Sequence, residues 1–363
     1  MAAVREVHIT ASKPMFGGMA QRIMGSVDID GNGTLFDEVP DCDPFILADL
    51  IGMPKAEMMK APFCAHPHSG ACVMSVLMEG KEFAAWDNLR GVEKELLLPG
   101  GLYLLDSGRG GVHDEKPEAV SMRGVTKAVF SEGEDAAAEG FAFCQLWFNP
   151  GLEDTDAKPL SSQVLQPGDV PIVTQGALAV RVLAGAYGGV TSPLALPHPI
   201  LLLHGRLDAG AEAELALPAD HSGFIVPIPA RSGEFTVDGA LLPAGHVARL
   251  GAGAGALKLA AGEEGATFLL GVGVPHSTPF SKLLGFGGAV VEATPEKARA
   301  RMEEYAADPQ NFGRAADELP DLAADFSRYT MIEGYQDRGD GLKPGVEARW
   351  SPAEGQQPTG SRA

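Results

Sequence analysis

Apolar and polar positions in this chain alternate in short runs separated by turn residues. A period of two sends successive side chains to opposite faces of a strand. Residues 4–12 read as an opening strand, and the largely apolar residues 45–52 as a buried segment. Cys-Val-Met-Ser-Val-Leu-Met at 72–78 reads as a strand that turns at Glu79-Gly80. Residues 94–98 lead into the turn Pro99-Gly100-Gly101 and then into Leu102–Leu105. Residues 141–148 form another apolar strand, ending at Asn149-Pro150. Residues 151–176 are polar and proline-bearing and read as a linker or crossover. The strand-and-turn texture then returns, with candidate strands at Leu178–Leu183, Ile200–His204, Gly223–Ile228, Gly233–Val237, Val247–Leu250 and Thr267–Val272. Short strands with frequent turns predict an all-β barrel or sandwich. The repetition of style across the two halves predicts a duplicated barrel.

One helix stands out. Thr294 is a good N-cap and Pro295 suits the first helical position, so residues 296–306 are predicted helical. Residues 313–363 mix acidic and apolar residues and end in a Gly/Pro/Ser-rich tail, expected to be mobile over its last dozen positions. The resulting division is 1–150, an N-terminal barrel; 151–176, a linker; 177–290, a C-terminal barrel; and 291–363, a helix and tail. Two local patterns are set aside. Asp28-Ile29-Asp30-Gly31-Asn32-Gly33 imitates a calcium loop, but its twelfth position is Val39, followed by Pro40. It reads as a hairpin turn around Asn32-Gly33. Ala252-Gly253-Ala254-Gly255 lacks the spacing and the following helix of a dinucleotide site, and reads as a turn.

Composition narrows the function classes. A chain of 363 residues, 45% hydrophobic and 21% charged, can hold two ordinary domains with separate cores. The formal charge of −20 argues against direct binding to nucleic acid or to anionic lipid. No apolar run reaches the roughly 18 residues that span a bilayer. The N-terminal residues lack the pattern of a signal peptide, and the four cysteines form neither a Cys-x-x-Cys pair nor a disulfide framework. A reducing cytoplasm is the expected setting.

The chemistry concentrates in Phe63-Cys64-Ala65-His66-Pro67-His68-Ser69-Gly70 and in Gly108-Arg109-Gly110-Gly111-Val112-His113-Asp114-Glu115. On a strand, His66 and His68 point to one face, and so do His113 and Glu115. Three imidazoles and one carboxylate suit a divalent transition metal, with iron, nickel, zinc and copper all compatible. Four such ligands would leave part of a six-coordinate sphere open for substrate, water or oxygen. Glu115 could ligate the metal or take a proton from a substrate hydroxyl. Pro67 has no N–H for a ladder, which predicts an edge or irregular strand there. His198, His204, His221, His246 and His276 show neither His-x-His nor His-x-Glu and read as structural or surface residues. One barrel is thus expected to carry the metal and the other to support it. Cys64, two residues before His66, would share the ligand face of an unbroken strand. It reads as a small buried hydrophobe or as a thiol that tunes or oxidises with the metal.

These segments, with Leu77-Met78-Glu79-Gly80 between them, resemble the pirin family of bicupins. The resemblance extends to Asp43-Pro44-Phe45, Gln145-Leu146-Trp147 and Gly287-Gly288-Ala289-Val290-Val291-Glu292-Ala293-Thr294, and so covers roughly residues 5–315. It implies two cupin-type barrels and a metal at His66, His68, His113 and Glu115, usually Fe(II), with nickel, zinc, copper or manganese as alternatives. Some relatives are implied to cleave flavonols such as quercetin with dioxygen. Others are implied to act as redox-sensitive metalloproteins on a protein partner. Ser69-Gly70-Ala71-Cys72, Trp86-Asp87-Asn88 and Leu104-Leu105-Asp106 depart from the usual pattern, which bears on the substrate more than on the metal. The leading expectation is a metal-dependent dioxygenase of quercetinase type. The alternative is a non-catalytic pirin-like protein.

Overall fold

The computed structural model describes residues 5–15, 20–25, 42–54, 65–79, 83–89, 95–117, 140–228, 233–278, 280–285, 288–309, 311–314 and 349–352. The hairpin expected around Asn32-Gly33 and the position of Cys64 lie outside these residues. Alternation over the described chain produces strands arranged as two barrels, the bicupin architecture.

The first barrel is built from two seven-stranded sheets. One runs in the order Arg349–Pro352, Ser281–Gly285, Gly288–Glu292, His66–Ser69, Gly111–Pro117, Phe83–Asp87 and Glu95–Leu97. The other runs Ser161–Leu165, Leu102–Asp106, Cys72–Glu79, Gly140–Phe148, Phe45–Pro54, Ala20–Met24 and Lys13–Met15. Inward residues of both sheets, including Leu47, Val73, Tyr103, Trp147, Ala85 and Val291, form one apolar cluster. The opposite face of the second sheet, with Met74, Cys144 and Phe148, packs on Leu202, Phe224 and Leu269 of the second barrel. This seam accounts for strands such as Cys72–Glu79 that are apolar on both faces.

The second barrel pairs a seven-stranded sheet, from Val7–Ala11 to Ile172–Gln175, with a four-stranded one. Its interior is filled by apolar side chains, among them Leu203, Ile225, Phe235, Leu257, Phe268 and Leu270. The helix Pro295–Ala307 forms where expected, with the Thr294 hydroxyl accepting the Lys297 amide N–H. It covers the outer face of the first sheet, where Ala298, Met302 and Tyr305 pack on Ala65, Val112 and Val290.

Strand pairing crosses the boundaries drawn from the sequence. Val7–Ala11 pairs with His246–Leu250 of the second barrel. Gly288–Glu292 pairs in parallel with His66–Ser69 of the first. The stretch 151–176 is not a plain linker: Ser161–Leu165 extends the first barrel and Ile172–Gln175 the second.

Pro67 corrects another expectation, because its strand lies inside its sheet, between Gly288–Glu292 and Gly111–Pro117. It stands opposite Val112. Both backbone polar groups of Val112 are turned to Asn88, whose N–H donates to the Val112 carbonyl at 2.9 Å and whose Oδ1 accepts the Val112 N–H at 3.0 Å. Pro67 thus occupies a non-hydrogen-bonded position in the pairing with Gly111–Pro117, and that ladder loses nothing to its missing N–H.

Candidate metal centre

The register explains why the histidines meet. His113 stands directly opposite His66, and Gly111 opposite His68. A two-residue spacing on each strand puts all three imidazoles on the interior face. His113 Nε2 lies 3.0 Å from His68 Nε2 and 3.1 Å from His66 Nε2. The three residues form the one group among the described residues whose candidate ligand atoms converge within 4.8 Å. Nitrogens that ligate a single ion at about 2.1 Å in mutually perpendicular positions lie about 3.0 Å apart. Three buried imidazoles whose nitrogens converge this closely form a donor set that fits a divalent cation.

Electrostatics favour the same reading. Burial, followed by the neighbouring histidines, holds His68 and His113 well below the ordinary imidazole range. Both rings are therefore neutral, the form that binds metals. The edge of Trp147 meets the His68 ring at 4.8 Å between centroids, and Tyr103 stacks beside His113 at 6.0 Å. The Tyr103 hydroxyl donates to Asp87 Oδ2 at 3.0 Å, and Asp87 is the register partner of His113.

Glu115 shares the interior face but stands outside the converging group. Its Oε2 lies 4.0 Å from His113 Nδ1 and accepts a hydrogen bond of 2.9 Å from Gln145 Nε2. Burial pushes its carboxyl up to about 7, opposed by the nearby Ser75 hydroxyl and the Gln145 amide. The structure thus brings together three of the four residues read as ligands and places the fourth beside them.

The loop before His113 is held from outside the barrel. A Cβ at Gly110 would come within 2.9 Å of the Phe312 ring, and Arg109 pairs with Glu304 of the helix at 2.8 Å. The roles of Gln145, Ser75, Tyr103 and Asp87 were not assigned from sequence. Only Gln145 and Trp147 lay in a stretch already marked by resemblance. The histidines of the second half form no metal group among the described residues. His204 is buried in the seam, and His198 stacks on His276 at 4.0 Å.

Fold and donor set together describe a bicupin with a three-histidine centre in one barrel. No protein-family model matches the chain. Its curated relatives are pirins and pirin-like proteins, so the resemblance seen around His66 and His113 extends along most of its length. A pirin-like protein of Arabidopsis thaliana is 26% identical over 275 residues, 74% of this chain and 79% of the relative. A Pseudomonas aeruginosa protein provisionally named quercetin 2,3-dioxygenase is 29% identical over 270 residues, 71% and 84% of the two chains. The fold is similar to that of quercetin 2,3-dioxygenase from Acinetobacter baumannii, with a TM-score of 0.62 at 18% identity over 88% of this chain and 93% of that one. It is also similar to the Escherichia coli pirin YhhW in complex with nickel(II), with a TM-score of 0.51 at 13% identity over 74% and 100%. No helix among the described residues is long and apolar enough to cross a membrane.

Proposed function

We propose that this protein is a cytoplasmic metal-dependent dioxygenase of quercetin 2,3-dioxygenase type, acting on a flavonol or a similar chelating substrate. The observation that carries this reading is the convergence of the His66, His68 and His113 Nε2 atoms beside a buried carboxyl, in a chain similar to pirins and to a provisionally named quercetinase. The three histidines would hold the ion, with Fe(II) the leading candidate and nickel, zinc, copper or manganese compatible with the same donors. A bound redox-active ion would supply open positions at which a chelating substrate and dioxygen meet. The chain does the rest. Trp147 and Tyr103 fix the ring planes of His68 and His113, and the apolar lining of Leu47, Val73 and Val291 excludes water. Glu115 is the general base for a substrate hydroxyl, its carboxyl raised by burial into the range suited to proton transfer near neutral pH.

The test is oxygen consumption by Fe(II)-loaded protein with quercetin, run beside His66→Ala. Turnover in the wild type that is lost in the variant supports the reading. An iron-loaded wild type that consumes no oxygen with quercetin sinks it, and leaves a metal-binding protein that acts through a protein partner.

A further inference from the structure

Trp147 carries a hydrogen-bond donor that the first barrel does not use. It lies on the strand Gly140–Phe148, in register with Leu47 on one side and with Val73 on the other, and Leu105 stands opposite Val73. Cross-strand partners share a face, and all four side chains belong to the apolar cluster inside the barrel that holds the histidines. This row gives the indole apolar contacts and no side-chain acceptor. Trp147 is 5% exposed, and its Nε1 is buried and makes no hydrogen bond. A buried indole N–H ordinarily finds an acceptor, and one left unmet opposes folding. Phenylalanine or leucine would suit the same apolar row without that cost, so packing alone does not account for the tryptophan.

The neighbouring row on the same face differs. Its polar groups are bonded within the protein: Arg22 Nη2 donates to Asp49 at 2.8 Å, Gln145 Nε2 to Glu115 at 2.9 Å and the Tyr103 hydroxyl to Asp87 at 3.0 Å. The indole instead stands against the metal site. Its ring lies at 78° to the imidazole of His68, 4.8 Å between centroids, and His68 contributes one of the three converging nitrogens. An oxygen-bearing molecule held by an ion at those nitrogens would bring its acceptors to the side chain that packs on His68. In apolar surroundings such a donor bonds most strongly to an oxygen that carries negative charge. The enolate and carbonyl oxygens with which a flavonol-like molecule chelates a metal have that character.

We propose that Trp147 is a substrate-binding residue whose indole N–H donates to one of the two oxygens that chelate the metal. The proposal rests on the reading of this site as one for a chelating substrate. It deepens that reading by naming the protein group that selects for the oxygen pair alongside the ion.

Zn(II)-loaded protein tests this without turnover, because zinc has no redox chemistry. The readout is the dissociation constant of quercetin and of the parent flavonol, followed by the absorption change on chelation. The parent flavonol keeps the chelating oxygens and lacks quercetin's other hydroxyls. Trp147→benzothienylalanine, which puts sulfur in place of the N–H at nearly the same shape, should weaken both ligands by about tenfold or more. Its Zn(II) affinity should stay well short of the roughly 10- to 100-fold loss typical of outer-shell substitutions. Its ligand-free denaturation midpoint should be unchanged, since no bond within the protein is lost. Trp147→Phe, a second variant that also lacks the donor, should weaken both ligands alike. Undiminished affinity for both ligands in the isosteric variant overturns the proposal. Weakening of quercetin alone also overturns it, because the donor would then serve a hydroxyl remote from the metal. A lowered midpoint with unchanged ligand affinity assigns the N–H to a structural acceptor or a buried water, and overturns it too. If the wild type binds neither ligand, this proposal and the substrate reading beneath it fall together. Binding of both ligands without oxygen consumption by the Fe(II)-loaded protein removes the dioxygenase reading, and the loss in the Trp147 variants then still supports this proposal.

Discussion

The hydroxyl of Ser69 donates to Oε1 of Glu292 at 3.0 Å, joining residues 223 apart in sequence. Ser69 follows His68, and Glu292 ends the strand that pairs with the His66–Ser69 segment. Glu292 is fully buried and also accepts from Thr155 Oγ1 at 2.7 Å and from Arg301 Nε at 3.1 Å. The strand that carries two candidate ligands is thus anchored to the C-terminal helix through one carboxylate.

Glu292→Ala should be strongly destabilising. It would leave the buried Arg301 with its charge partly uncompensated and two hydroxyls without their acceptor. Breaking a buried ion pair from one side costs about 3–5 kcal/mol. Urea denaturation would measure the loss, and Glu292→Gln, which keeps an acceptor oxygen, should lose less. A loss below about 1 kcal/mol would put the network on a par with an exposed ion pair.

Gly70→Ala should prevent normal closure of the first barrel. Gly70 has a φ of +68°, and a Cβ there would lie 1.7 Å from the Val291 carbonyl oxygen. Backbone is what it meets, so no side chain can move aside. The expected cost exceeds the roughly 1–3 kcal/mol of an unfavourable φ alone. Folded, soluble protein with an unchanged denaturation midpoint would contradict the close approach of these two segments.

Metal should stabilise the folded chain, because three converging imidazoles exist only after folding. At a free concentration a thousandfold above Kd, the gain is about 4 kcal/mol. Thermal unfolding with and without added Ni(II) or Fe(II) would detect it, and a chelator should reverse it. His113→Ala, which removes the nitrogen 3.0 and 3.1 Å from the other two, should abolish the shift. A midpoint indifferent to metal in the wild type would argue against the site.

Acid stability should depend on His204. Burial, with a smaller contribution from the charge of Arg181, lowers its pKa from an ordinary 6.5 to about 3. Above 6.5 neither the folded nor the unfolded state is protonated there. As pH falls below that value the unfolded chain takes up a proton that the folded chain refuses until about 3, so stability is lost across this window. The slope is at most about 1.4 kcal/mol per pH unit. His204→Leu should flatten the decline in denaturation midpoint between neutral and acid pH. Parallel declines in the two proteins would show that His204 does not contribute.

The sequence determined on its own whatever depends on consecutive residues. Alternation marked the strands, Thr294-Pro295 marked the helix, and two-residue spacing put His66 with His68 and His113 with Glu115 on shared faces. The absence of such pairs in the second half led only to the expectation of a supporting barrel; that its interior is filled with apolar side chains came from the structure. Tertiary structure decided which strands became neighbours. Only register places His66 opposite His113, turns both polar groups of Val112 to Asn88 so that Pro67 can sit inside a sheet, and inserts Gly288–Glu292 beside the histidine strand. Register also aligns Asp49, Gln145, Ser75 and Tyr103 into one row, from which the Gln145 amide reaches Glu115. Periodicity is a local property, fixed by backbone geometry. Pairing between segments far apart in sequence is chosen by burial and mutual hydrogen bonding, which no single stretch of residues contains.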